Sequence, residues 1–281
     1  MAHRPHRGPG AGHTAKLPPA RKSLGQHFLR DGKVLDRIAG ALDLPGRETV
    51  IEIGPGRGAL TDRLADRAGR LIAIELDRAL IPVLRARYAT RTNVMIAEGD
   101  VLTFDLAALA QGPYRLVGNV PYYITTPILF HALRAPRPER AVFLVQREVA
   151  ERMAAAPDTD AYGALSVNLQ ALASAETILI VKPAAFEPPP KVDSAVVRVV
   201  PHAEPLVSAA EEQPFSRFVL ACFAQRRKQL ARTLRTVAAL DAEPSRSLLA
   251  SVDIDPTARA ETLSPARFVT LYRAVAAARA S

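Results

Sequence analysis

Midway along a chain of 281 residues, Asn119-Val120-Pro121-Tyr122 brings together an amide, a carbonyl ahead of a rigid ring, and an aromatic face. The preceding YRLVG reads as a strand and the following TTPILFHAL as the start of a helix, so the group sits at a strand end. A turn uses the proline and a core takes the aromatics, but neither needs the asparagine. The combination suits an exocyclic amine on adenine. That nitrogen is a poor nucleophile, because its lone pair is delocalised into the ring. Acceptors aimed at its hydrogens favour a tetrahedral nitrogen and free the lone pair for in-line attack. The Asn119 side-chain oxygen is one candidate acceptor; the Val120 carbonyl, held by Pro121, is the other. Tyr122 offers a face to an extruded base, a contact worth roughly 1–3 kcal/mol. Extrusion is the route to an atom otherwise hidden by stacking. Such a site works by orientation and fixed dipoles. No Cys or His nucleophile is therefore expected: His131 and Cys222 read as packing residues, and Tyr123 as support for the loop.

Upstream, VIEIGPGRGALTDRL runs strand, glycine turn, helix. Gly54, Gly56 and Gly58 let the backbone pass close to a ligand at the carboxyl end of the strand. Glu75 follows Gly54 by 21 residues, at the end of the next strand. A carboxylate there accepts from ribose hydroxyls. A dinucleotide and S-adenosylmethionine both fit this layout. Glu52 favours the second, since a pyrophosphate would face that acid whereas a cationic methionine end tolerates it. An ordinary glycine turn beside a surface glutamate is the plainer alternative. Asp100, after the third strand, can accept from the amine of a cofactor adenine while the backbone around Val101 pairs with a ring nitrogen. Taken alone it would be a turn aspartate.

The elements that must position these residues follow from the alternation. TVIEI, RLIAIEL, VMIAEG, YRLVGNV and RAVFLVQ read as strands separated by helical stretches, with a polar connection after VMIAEG. ETILIVK and SAVVRVV follow as consecutive strands. This pattern predicts an α/β fold: a mostly parallel sheet covered by helices, with one antiparallel strand at or near an edge. After Pro201 the chain carries helical periodicity alone, and Ser264-Pro265 makes a helix start. The domain reading is a disordered basic arm over 1–20, an α/β domain over 21–201 and a small all-helical domain over 202–281. The histidines of the arm, His3, His6 and His13, read as part of a flexible tail rather than a metal site, and no metal is expected.

The chain holds 37 Lys and Arg against 28 Asp and Glu, a formal charge of +9. That balance suits a polyanion, nucleic acid before membrane surface. One cysteine excludes an internal disulfide. No apolar run approaches the ~18 residues of a membrane helix, and no secretory leader is visible, so a cytoplasmic protein is expected.

KSLGQHFL, IEIGPGRGALT, IELD, GDVL, NVPYYITTPIL, AYGALSVNLQ, FEPPPKVDSAVVRV, CFAQRRKQLARTLR and ARAETLSPARFVTLY occur in that order. Together, from about Lys22 to Tyr272, they resemble the bacterial small-subunit ribosomal RNA adenine dimethyltransferases, the KsgA/RsmA family. The resemblance implies a class I, Rossmann-like methyltransferase fold with a seven-stranded sheet. It also implies S-adenosylmethionine as donor, and dimethylation of two adjacent adenosines in a loop near the 3′ end of 16S rRNA in immature small ribosomal subunits. By the same resemblance, His27, Leu29 and Gly54 contact the methionine end of the cofactor, Glu75 the ribose and Asp100 the adenine, while Asn119 faces the target amine. Many members carry Asn at the position of His27 and Leu at that of Val120. A neutral imidazole still donates to a carboxylate, and a backbone carbonyl survives the second change.

FEPPPKVDS is either a proline-stiffened loop or the source of a second stacking ring, Phe186, opposite Tyr122. Residues 217–235 contain Arg226, Arg227, Lys228, Arg232 and Arg235 and no acid. Read as a helix, the stretch puts Lys228, Arg232 and Arg235 on one face at i, i+4 and i+7, suited to RNA phosphates. A monomer is expected. The rival enzyme is the large-subunit rRNA adenine methyltransferase that confers macrolide resistance, which shares the GQHFL-like and N-[IV]-P-Y-like motifs. YYITTPIL, AYGALSV and FEPPPKVDSAVVR stand closer to the small-subunit family. A non-catalytic assembly or transcription factor on the same fold is the rival from another class; the glycine turn and Asn119 speak against it.

Overall fold

The computed structural model describes residues 18–21, 24–225 and 228–280. The arm read over 1–20 lies outside the described residues except for 18–20, and so do Arg226 and Arg227.

The first half is built as strand then helix. A two-residue strand β1 (Phe28–Leu29) leads into α1 (Gly32–Ala41), whose N-terminus is capped by the Asp31 carboxylate accepting from the Lys33 and Val34 N–H groups. Then come β2 (Thr49–Ile53), α2 (Ala59–Ala65), β3 (Arg70–Glu75), α3 (Ile81–Arg87), β4 (Val94–Glu98), α4 (Leu106–Ala110), β5 (Tyr114–Asn119), α5 (Thr125–Ala132), β6 (Arg140–Gln146), α6 (Arg147–Ala154) and α7 (Ala164–Gln170). β7 (Ala173–Val181), the short β8 (Phe186–Glu187) and β9 (Ser194–Pro201) complete the strands. The connection after β4, expected to be only polar, holds α4, which Asp105 caps through the Ala108 N–H.

Seven strands form one sheet in the order β4-β3-β2-β5-β6-β9-β7. Pairing is parallel from β4 to β6, and β9 runs antiparallel to both β6 and edge strand β7. The central strands are nearly continuous apolar runs because helices cover both faces. One core lies between the sheet and α4–α6, with Ile51, Ile72, Leu116, Phe143 and Leu129; a second lies under α1 and α2, with Leu35, Ile38, Val50, Leu71 and Val142. The order of strands reverses at β2, which pairs with β3 on one side and β5 on the other. Connections therefore leave the carboxyl ends of β2 and β5 toward opposite faces and open a crevice between them.

The C-terminal part is α8 (Glu212–Phe223), α9 (Leu230–Val237), α10 (Ala242–Ser251) and α11 (Pro265–Ala280). Ser264 Oγ accepts from the Arg267 N–H at the start of α11. The continuous helix expected over 217–235 is broken. Gln229 is extended, bridges to Arg259, and the Leu230 N–H is taken by the Ala258 carbonyl. Apolar residues from before residue 202 share the interior of these helices. Tyr162, Val167 and Leu172 pack with Phe215, Leu230, Leu249 and Phe268, and the buried Tyr162 hydroxyl donates to the Leu263 carbonyl at 2.7 Å.

Candidate active site

The crevice is walled by the ends of four strands. After β2 the chain turns through Gly54 (φ +68°) and Gly56 (φ +57°), a left-handed region that side chains disfavour. A Cβ on Gly56 would also meet the Phe28 ring at 2.9 Å, so the turn and β1 close on each other only because this position is glycine. At the end of β3, Glu75 is buried. Its Oε2 accepts from the Gly56 N–H at 3.0 Å and its Oε1 from the Asp77 N–H at 2.8 Å. Burial pushes its pKa up even though these N–H groups favour the ionised form. After β4, Asp100 lends Oδ1 to the Leu102 N–H at 3.0 Å, while Val101 is buried beside it. Asp100 thus caps a short turn and still lines the crevice.

β5 ends in Asn119. Its Nδ2 donates to the His27 main-chain carbonyl at 3.1 Å. With the amide nitrogen so engaged, Oδ1 is the acceptor left over. Val120 buries its side chain, and Pro121 leads into a short turn in which its own carbonyl accepts from the Ile124 N–H and the Thr125 hydroxyl. The Tyr122 hydroxyl is 2.7 Å from that of the buried Ser194, and its ring lies near-parallel to the His27 ring, 22° apart in plane with centroids 6.0 Å apart. Burial raises the Tyr122 pKa, so the phenol stays neutral.

One cavity collects His27, Gly54, Gly56, Glu75, Asp100, Val101, Asn119, Val120, Pro121 and Tyr122. Tyr123, read as loop support, lines its mouth and is 64% exposed. A second cavity shares Gly54, Gly56, Phe28 and Asn119 with the first and extends to Leu29, Arg57 and Glu52. Glu52 is 1% exposed, its Oε2 has no hydrogen-bond partner among the described residues, and burial pushes its carboxyl up to about 8. A cationic methionine end beside this orphaned group would favour its ionised form, so Glu52 and the glycine cradle fit that end of the cofactor.

Phe186, Leu29 and the basic stretch lie elsewhere than expected. Phe186 does not face Tyr122. It is 2% exposed in β8, where it pairs with Leu29, and it packs into the core under α1 with Val34, Leu35 and Val196. The register of that ribbon turns the ring inward. Leu29 likewise puts its side chain in this core and reaches the second cavity only. Of the basic residues, Arg232 and Arg235 are exposed on α9, but Lys228 lies in the bend before it, so the i, i+4, i+7 face does not form. None of these three makes an ion pair among the described residues, unlike Arg273 with Glu211 or Arg267 with Asp253. His131 is half-buried against the Phe104 carbonyl, and burial raises the Cys222 thiol to about 12. Neither lines the crevice. Spacing alone missed Gln26 and Asp77, whose bond joins residues 51 apart. It also missed Ser194.

A glycine turn after β2, a carboxylate ending β3, an aspartate after β4, and an antiparallel β9 set inside edge strand β7 define a class I methyltransferase. A family model described as ribosomal RNA adenine dimethylase matches residues 19–277. The chain belongs to this family. It is 47% identical over 255 residues to "Ribosomal RNA small subunit methyltransferase A" of Xanthomonas euvesicatoria pv. vesicatoria, covering 90% of this chain and 95% of that one. It is 43% identical to the protein of the same name from Geobacter sulfurreducens over 93% and 97% of the two chains. Among solved structures, a dimethyladenosine transferase from Plasmodium falciparum superposes with a TM-score of 0.76 at 25% identity, covering 87% of this chain and 96% of that one. The 23S rRNA methyltransferase ErmE superposes at 0.69 and 29% identity, covering 89% and 99%.

Proposed function

We propose that this protein dimethylates the exocyclic amines of two adjacent adenosines in the 3′-terminal hairpin loop of small-subunit (16S) rRNA during small-subunit assembly, using S-adenosylmethionine. The observation that carries this reading is the Asn119 amide, turned by the His27 carbonyl so that its oxygen is the free acceptor in the crevice. S-adenosylmethionine supplies an electrophilic methyl group. Glu75 would hold ribose hydroxyls with lone pairs its backbone partners leave free, Asp100 and Val101 would hold the adenine, and Gly54, His27, the Leu29 backbone and Glu52 would surround the methionine end.

Asn119 Oδ1 and the Val120 carbonyl accept from the two amine hydrogens of the target and favour a tetrahedral nitrogen. The nitrogen lone pair would form the new bond as the methyl group's bond to the donor sulfur breaks, leaving that electron pair on sulfur, and the nitrogen would shed one proton to solvent. Tyr122, steadied by Ser194 and flanked by His27, stacks on the extruded base. Arg232, Arg235 and Lys228 of the 202–281 region meet phosphates and set register without reading sequence; Arg226 and Arg227 are assigned the same role from their place in the chain. A cytoplasmic monomer fits a chain whose exposed large apolar side chains lie on separate elements, such as Met95, Ile180 and Leu220. Among the described residues no helix is long and apolar enough to cross a membrane.

The 47% relatives carry a small-subunit name, against 29% identity to the large-subunit enzyme, and this favours the small-subunit substrate. Labelled methyl transfer to immature small subunits lacking the modification, run beside protein-free large-subunit rRNA, tests the choice. Label in the small-subunit 3′ hairpin is expected. Label confined to the large-subunit RNA would reverse the assignment.

A further inference from the structure

Asp77 takes no part in the roles assigned so far, yet it is a carboxylate 1% exposed, two residues beyond Glu75. Its donors come from two places. Oδ1 accepts from Arg21 Nη1 at 3.0 Å and from the Ala79 N–H at 3.1 Å, and Oδ2 accepts from Gln26 Nε2 at 2.9 Å. Gln26 Oε1 in turn accepts from the Arg21 N–H at 2.8 Å. On the other side, the Asp77 N–H donates to Glu75, which holds the Gly56 N–H. One chain of hydrogen bonds therefore runs from the glycine turn through Glu75 and Asp77 into the segment that precedes β1.

That segment forms a wall of the cavity. Gly25 lies beneath the Tyr123 ring and Pro121, where a Cβ would touch them at 3.6–3.7 Å. His27 is held by Nδ1 at 2.7 Å from the Pro188 carbonyl, and its own carbonyl accepts from Asn119. Arg57 adds a separate tie: its Nη2 donates to the Pro18 carbonyl, and its guanidinium lies over the Phe28 ring at 4.4 Å. The same segment thus reaches Glu75 by way of Asp77 and Asn119 directly.

We infer that Asp77 is a positioning residue whose carboxylate locks the segment carrying Gln26 and His27 across the crevice, and so couples the cofactor-binding strand end to the orientation of the Asn119 amide. This rests on the proposed function only for what the crevice binds; the lock itself is a property of the chain. A buried carboxylate with charged and neutral donors from a distant segment is unfavourable to leave unpaired. Loss of the donors should free the segment rather than shift it slightly, and small misplacements near a reacting centre cost as much as about a hundredfold in rate.

The test uses the full chain. Asp77→Asn removes the charge, and the double variant Arg21→Ala with Gln26→Ala removes the donors from the surface side, where the core is untouched. Amide hydrogen exchange of residues 24–28, calorimetric affinity for S-adenosylmethionine and steady-state methyl transfer are compared with the unaltered protein. Both variants should speed exchange at 24–28 by about tenfold or more, weaken cofactor binding by about tenfold and lower kcat by as much as about a hundredfold. Asp77→Asn combined with Gln26→Glu restores a donor–acceptor pair with roles exchanged and should recover protection and affinity in part. Unchanged exchange at 24–28 in the double variant would overturn the inference. So would faster exchange there with cofactor affinity and kcat intact. Failure of the unaltered protein to transfer methyl groups would instead strike at the proposed function, and the exchange data would still stand.

Discussion

The Tyr122 hydroxyl lies 2.7 Å from the hydroxyl of Ser194, which opens β9, so the aromatic turn after β5 is pinned to a strand 72 residues further along the chain. The ring is held by its tip, and its face is the one proposed to stack on the base. Tyr122→Ala should weaken kcat/KM by roughly 5- to 150-fold, the equivalent of 1–3 kcal/mol of stacking. Tyr122→Phe keeps the face and should lose much less. Equal losses in the two variants, measured by steady-state methyl transfer, would assign the effect to the hydroxyl rather than the ring.

Phe186 sits inside the core beneath α1. Phe186→Ala should therefore destabilise the fold by about 3–5 kcal/mol through reduced burial and a residual cavity. Denaturant titration reads this as a lower midpoint. A catalytic loss with an unchanged midpoint would return Phe186 to the stacking role that its motif suggests.

Glu52 gives the protein a pH signature. Burial lifts its carboxyl from 4.5 to about 8, so the folded state keeps a proton that the unfolded state has lost between those values. Stability from this group is unaffected below 4.5, falls as pH rises through the window, and reaches its full deficit above about 8. Glu52→Gln removes the deficit. Its denaturation midpoint should gain on the unaltered protein at pH 8 relative to pH 5, where the two should be closer. A difference independent of pH would contradict a buried, protonated Glu52.

Arg232 and Arg235 are exposed cations with no acidic partner among the described residues. Replacing both by alanine should weaken RNA binding and reduce the slope of log affinity against log salt by about one unit for each phosphate no longer neutralised. Filter binding across a salt series checks it; a slope unchanged within error would remove α9 from the RNA interface.

Much of the crevice was legible because it is assembled from strand ends. Gly54, Glu75, Asp100 and Asn119 each follow an apolar run whose limits the periodicity marks, and a parallel sheet carries all such ends to one edge. What stayed hidden depends on partners far away in the chain. Phe186 faces inward because a two-residue ribbon with Leu29 sets its register. The basic stretch is split between α8 and α9, where Gln229 bridges to Arg259 and the Leu230 N–H donates to the Ala258 carbonyl. Asp77 reads as an ordinary turn residue until Arg21 and Gln26 are seen upon it, 56 and 51 residues away. Local propensity carries none of these.

In the proposed reaction the Asn119 oxygen activates the target amine. Asn119→Ala, assayed for labelled methyl transfer to immature small subunits and for calorimetric affinity for S-adenosylmethionine, tests it most directly. Transfer should fall by about a hundredfold or more, as when one fixed dipole is removed from a reacting centre, while cofactor affinity changes by less than about tenfold. Transfer within a few-fold of the unaltered protein would contradict the account.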